Sequence, residues 1–206
     1  MRSLRLLPLF CIGMALTALL LSYGLSRWLV FTIVIGLYLI AMVLPGVYAV
    51  YFSNSIPRIG RYIKRNRFKP IFAFPYALGN GSDQDVEAAI EQVLKKHKQP
   101  ELQSIYRTLL ALHRGQAAVA VQHAETIEPE PLRSYYLAQA AVASGDLQRA
   151  QNLSNEISES WMKHSIEALI ARETNEAEFL QLAEKSVQEA RGVQKYTLQK
   201  NFERVK

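Results

Sequence analysis

The chain has 206 residues, half of them hydrophobic, with 24 Lys/Arg against 18 Asp/Glu and a single cysteine. That length allows one or two domains, and one cysteine excludes an internal disulfide framework. The cationic excess is lopsided: residues 1–82 hold nine Lys/Arg and no acid, whereas residues 83–206 hold 15 Lys/Arg and all 18 acids. The downstream part is mildly acidic, which argues against a nucleic-acid partner, because such a partner requires the basic excess on the binding domain.

Leu6 to Tyr23 is a run of 18 residues without a charge, near the lower limit for a spanning helix of about 20 residues. Arg2 and Arg5 precede it, as cations precede a cleaved secretory signal. The small residues Ser22 and Gly24 offer a poor cleavage site, and a second apolar run starts within four residues, so a retained span is expected. Cys11 follows Phe10 rather than the small residue a lipoprotein signal would need, and reads as an apolar filler.

Trp28 to Phe52 has 25 residues without a charge, about 37 Å of helix at ~1.5 Å per residue, enough to cross a bilayer with some tilt. Pro45-Gly46 predicts a kink near its end. Trp28 and the stretch Tyr48 to Phe52 put aromatic anchors near both ends. Only residues 24–27 separate the two runs, which predicts a tight antiparallel transmembrane hairpin over residues 1–55 (spans about 6–23 and 28–52). Gly13 with Thr17, and Thr32 with Gly36, are small pairs that would let the helices approach closely. Two Lys/Arg precede the hairpin, one lies in its loop and six follow it. The positive-inside rule then predicts a multi-pass protein of the cell membrane with both termini cytoplasmic.

Residues 56–82 read as a basic and aromatic juxtamembrane linker. Arg58, Arg61, Lys64, Arg65, Arg67 and Lys69 carry its charge, with Ile59, Tyr62 and Ile63 on the other side of a helical pattern. Such a piece can lie along anionic lipid headgroups, cations on the phosphates and apolar side chains in the boundary; the same charges would also serve topology alone. Pro70 and Pro75 are expected to break any helix there, and Gly79-Asn80-Gly81-Ser82 reads as a flexible turn.

From Asp83 every apolar pattern is helical, with no alternating strand pattern. Ser82 or Asp83 can cap a helix carrying Val86, Ala89, Ile90, Val93 and Leu94, which ends before Pro100. Glu101 to His113 carries Leu102, Ile105, Tyr106, Leu109, Leu110 and Leu112 and is broken by Gly115. A third helix follows with Ala117, Ala120, Val121, Ala124 and Ile127, and Pro129 and Pro131 restart the pattern. Gly115, Ala120 and Ile127 recur thirty residues later as Gly145, Ala150 and Ile157, an internal repeat of helix, glycine and alanine-bearing helix. A degraded third copy is two helices, Trp161 to Ala171 and Glu176 to Ala190, around Thr174-Asn175. The polar residues 193–206 read as a tail that frays or forms a last short helix.

The stretch Ser134 to Ile157 resembles a tetratricopeptide repeat (TPR). Leu137, Ala138 and Ala141 fall where that family places its helix-packing residues, and Gly145-Asp146-Leu147 with Ala150 matches its turn and second helix. The match departs in having Ser134 where the family has a large aromatic, and in a repeat of thirty rather than thirty-four residues. In the preceding copy Arg107 and Thr108 occupy packing positions, so that helix is expected to be rotated. The resemblance covers roughly Glu101 to Ala190. It implies an all-α protein in which residues 83–192 form a short TPR-like α-solenoid with a concave partner groove carrying Tyr135, Gln139 and Val142; Tyr135 could equally fill the core.

His97, His113, His123 and His164 form no metal-binding pattern, and there is no phosphate-binding glycine loop, nucleophile elbow or intramembrane carboxylate pair. Neither apolar run holds the ionisable residue that an ion path usually needs. The expectation is a non-catalytic interaction or scaffold protein with no cofactor and no small-molecule substrate, recruiting a protein partner at the cytoplasmic membrane face. The alternative is an accessory or regulatory subunit of a membrane enzyme or transporter, docked through its hairpin.

Overall fold

Serine, proline and glycine punctuate the sequence where helices begin and end, and in the computed structural model, which describes residues 6–205, nearly everything between them is helix. The described residues form twelve α-helices and no strand: α1 (Leu6–Ser22), α2 (Arg27–Val47), α3 (Ile56–Asn66), α4 (Pro70–Asn80), α5 (Asp83–Lys96), α6 (Pro100–His113), α7 (Ala117–Ala124), α8 (Leu132–Ala143), α9 (Leu147–Glu156), α10 (Ser160–Arg172), α11 (Glu176–Glu189) and α12 (Gly192–Val205). They divide into two compact units that part between Tyr48 and Ala49.

In the first unit α1 packs against α2. Ser26 caps α2 by accepting the Leu29 N–H at 3.4 Å. Gly13 lies in the α1–α2 contact, where a Cβ would overlap the Tyr38 hydroxyl, and that hydroxyl donates to the Phe10 carbonyl at 3.4 Å. The second small pair is not used this way, since nothing lies within 4 Å of a Cβ at Gly36. The helical path continues through Pro45, which forgoes the bond to the Ala41 carbonyl one turn earlier, into a π-helical turn, Tyr48–Phe52. Arg27–Phe52, 26 residues, is the one helix among the described residues long and apolar enough to cross a membrane. α1 has 17 residues, and Arg2 and Arg5, which enter the expected orientation, lie outside the described residues.

The second unit begins before Asp83. Residues 56–82 are two helices rather than a linker. Pro70 occupies the first turn of α4, where its missing N–H costs nothing, and Pro75 sits buried inside the same helix without ending it. One hydrogen bond is forgone, and packing of Ala77 and Leu78 against Val86, Ile90 and Tyr106 offsets it. Gly79 and Asn80 belong to α4, not to a flexible turn. A capping box then starts α5: the Asp85 N–H donates to Ser82 Oγ at 3.3 Å, and the Ser82 N–H donates to Asp85 Oδ2 at 2.8 Å. That backbone bond holds the Asp85 carboxyl below the usual carboxylate range.

The thirty-residue pattern corresponds to repeated structure. Gly115 and Gly145 both adopt positive φ, +68° and +80°, and each ends a helix with the same pair of backbone bonds: Gln116 and Asp146 donate to the carbonyls of Ala111 and Ala141, while the two glycines donate to those of Leu112 and Val142. Ala120 and Ala150 are fully buried, as is Ile127, and Ile157 is 4 % exposed. Thr108 is not rotated out: it is fully buried, aligned with Ala138 and Ala168, and its hydroxyl donates to the Ser104 carbonyl at 2.8 Å. Arg107 is the exposed neighbour. The third copy uses Asn175, which accepts the Glu178 N–H, in place of the glycine turn.

The helices of this unit pack in neighbouring pairs from α3 to α12, and α12 then packs on both α3 and α4, so the contacts form a closed cycle. The segment expected as a polar tail is therefore a structural helix that buries Tyr196, Leu198 and Phe202. Tyr196 joins the fully buried Ile59 and Ile63 in one cluster. Its ring fits where α3 and α4 each carry a glycine, and a Cβ at Gly60 would be 3.1 Å from it while one at Gly79 would overlap its hydroxyl. Arg204 ties the far end of α12 to the end of α4, donating to the carbonyls of Leu78 (2.7 Å), Ala77 (3.1 Å) and Gly81 and pairing with Asp83 at 2.7 Å. At the near end Gly192, with φ +57°, donates its N–H to the Ser53 carbonyl at 2.9 Å.

Candidate functional site

The helices of this unit line an open-sided cavity of about 1150 Å³, above the ~300–1,000 Å³ common for small-molecule sites. Helical spacing explains its α8 wall: Tyr135, Gln139 and Val142 are four and then three residues apart and share one face. All three line the cavity, so the structure brings the sequence-derived groove residues together. Tyr135 is also a core residue, 7 % exposed and packed with Ala138, Met162 and Ile166. It shares a 3.3 Å hydrogen bond with Ser165.

Aromatic rings dominate the surroundings. The Tyr135 ring centroid is 5.3 Å from that of Tyr136 and 5.7 Å from that of Trp161, both edge-on, and Tyr106 meets Phe74 at 5.9 Å. Burial raises the phenol pKa of Tyr135 and Tyr136 above its ordinary range and pushes Tyr106 up to about 12. Of the lining residues only Arg172 and Glu173 carry full charges, and they lie 3.5 Å apart. His113 is the one other titratable cation former in the wall, its Nε2 3.2 Å from the Asp83 carbonyl. The cavity is thus apolar and aromatic with a few neutral polar groups, a lining that retains an uncharged occupant by burial and positions it by hydrogen bonds.

Sequence reasoning placed the groove on α8 but missed the walls given by α4 and α12, to which Phe74, Leu78, Thr197 and Asn201 belong. The glycines at 60 and 79, inside otherwise helical stretches, were the available signal that something large packs there.

The cationic residues form a second feature. Arg58, Arg61, Lys64, Arg65, Arg67 and Lys69 are all exposed. The opposite side of α3 does not face a bilayer: Ile59 and Ile63 are fully buried against α12, and Tyr62 packs edge-on against Phe72 at 5.5 Å. Each buried isoleucine contributes about 1.5–3 kcal/mol to this packing, so the apolar half of the helix belongs to the protein core.

No group of three His, Cys, Asp or Glu among the described residues is placed to hold a metal ion. His164 Nδ1 pairs with Glu189 at 2.7 Å, and His123 is held below its ordinary pKa by burial and by Arg107. No known protein family, curated protein or solved structure matches this chain.

Proposed function

We propose that this is a membrane-anchored, non-catalytic protein whose TPR-like helical unit recruits a protein partner at the cytoplasmic membrane face, taking an apolar segment of that partner into its cavity. The observation that carries the reading is the convergence of Tyr135, Gln139 and Val142 on one large, nearly uncharged, aromatic-walled cavity. Arg27–Phe52 supplies the anchor. Contact of α1 with α2 supports a two-span hairpin, and the six cations after the second apolar run, against one in its loop, support cytoplasmic placement of the helical unit. The same cations rest on anionic headgroups.

Cross-linking in native membranes followed by capture of the full-length protein tests the reading. Filling the cavity with Gln139→Trp and Val142→Trp should abolish capture of the partner while the helical circular dichroism is retained. An identical captured set from the filled variant refutes it. Capture that survives filling but disappears when residues 6–52 are exchanged for unrelated spans establishes instead an accessory subunit docked through its hairpin.

A further inference from the structure

Exposed large hydrophobic side chains are distributed unevenly over the second unit. Among its described residues they are Tyr51, Phe52, Phe68, Ile71, Val119 and Leu180. Four of the six fall within residues 51–71, the stretch that also holds all six juxtamembrane cations and no acid. The most exposed is Phe68, at 82 %, in the corner between α3 and α4. It is not covered by a neighbouring apolar residue. Its ring lies under the guanidinium of Arg67, 4.9 Å from the centroid, and that guanidinium is also 5.6 Å from the Tyr76 ring.

We infer that the α3–α4 corner is a membrane-docking site in its own right: Phe68 and Ile71 insert into the acyl boundary of an anionic bilayer while Arg61, Lys64, Arg65, Arg67 and Lys69 take its phosphates. Two facts select a lipid surface as the occupant. The charge is wholly of one sign and complements an anionic leaflet. An apolar helix of membrane-spanning length ends at Phe52, sixteen residues before Phe68, so a bilayer is within reach of the corner. A cation stacked on an exposed aromatic ring is suited to this border, the ring entering the hydrocarbon edge and the charge staying among headgroups. Ile71 also lines the rim of the cavity, whereas Phe68 does not, and the inference rests on the membrane anchor of the proposed function but not on its partner. It moves the lipid-facing apolar residues from Ile59 and Ile63, which the core absorbs, to Phe68 and Ile71.

Full-length protein carrying Cys11→Ser, reconstituted in vesicles and labelled with an environment-sensitive fluorophore at Phe68→Cys, tests this directly. A control label goes at Val119→Cys, and neither exposed substitution disturbs the core. In vesicles containing phosphatidylglycerol the label at 68 should be blue-shifted and quenched by acyl-chain quenchers several-fold more than the label at 119. That difference should shrink with added salt and on replacing Arg61, Lys64 and Arg65 by glutamine. Equal quenching at 68 and 119 in anionic vesicles overturns the inference. Shielding of position 68 in native membranes but not in pure lipid also overturns it, in favour of a protein docked on this corner. The readout does not depend on any partner, so it separates failure of this site from failure of the recruiting role.

Discussion

Replacing Arg204 by alanine should release α12 from the end of α4. The guanidinium donates to three backbone carbonyls and pairs with Asp83. Ala77 keeps a second donor, the Gly81 N–H at 2.7 Å, so the carbonyls of Leu78 and Gly81 bear most of the loss. A hydrogen bond from a charged donor contributes about 1.5–3 kcal/mol net. Asp83 is 81 % exposed at its side chain, so its ion pair adds at most about 1 kcal/mol. At the lower end these give roughly 3 kcal/mol, a shift of at least about 100-fold in the population with α12 detached. Urea unfolding of the full chain in detergent micelles, followed by circular dichroism, measures the total, and amide hydrogen exchange shows whether α12 opens first. Asp83→Asn should cost no more than about 1 kcal/mol, because it removes only the exposed pair. A loss below about 0.5 kcal/mol for Arg204→Ala, the range of an ordinary surface substitution, would show that α12 is held by its apolar face alone and that the clamp contributes nothing.

Glycine substitutions separate backbone strain from collision. Gly145→Ala, with φ +80° and open space around a Cβ, should cost about 1–2 kcal/mol, the left-handed penalty alone. Gly192→Ala should cost clearly more in the same unfolding assay, because its Cβ would run into the backbone of Val50 as well; equal losses would mean that this close approach is not maintained. Ile63→Ala, at a fully buried site, should cost about 2–5 kcal/mol, whereas Phe68→Ala should leave stability in detergent unchanged. Alkaline pH should destabilise the helical unit through its cavity tyrosines. Tyr106 keeps its proton to about 12 when folded, against an ordinary value of 10.0, so the unfolded chain releases that proton first. Its contribution is complete below pH 10 and is lost as pH rises through the folded value. Phenolate absorbance of the native protein should accordingly lag that of the urea-unfolded chain between those limits, and coincident titrations would refute buried phenols.

Much of the helical unit is legible residue by residue. Gly115 and Gly145 announce their turns because only glycine takes positive φ without strain, and Ala120 and Ala150 announce close helix contacts. Local rules failed where distant residues decide. Pro75 marks a helix end in isolation, yet α4 continues through it because packing of Ala77 and Leu78 outweighs one missing bond. The amphipathic pattern of α3 is real, but periodicity specifies only that an apolar face is covered, not by what. Tyr196 covers it from 133 residues later in the chain, and no sequence window joins the two. Polar residues around Tyr196, Leu198 and Phe202 disguised α12 as a tail, although these three supply the large apolar side chains it buries. On α8 Tyr135, Gln139 and Val142 could be grouped because they share one helix face, while the cavity walls from α4 and α12 could not be joined to them.

Closure of the helix cycle by α12 has a consequence for synthesis. Tyr196 leaves the ribosome last among the residues of its cluster, and at ~5–20 residues per second it follows Ile63 by roughly 7–27 s. Throughout that interval the apolar side of α3 lacks the Tyr196 part of its cover and has only Phe72 and Tyr76 of α4 against it. A chain truncated anywhere before Gly192 lacks Tyr196 and leaves Ile59 and Ile63 without that part of their cover, so truncated copies expose apolar surface at the start of the helical unit. The fourteen residues of α12 thereby complete the cover of the first two helices of the unit.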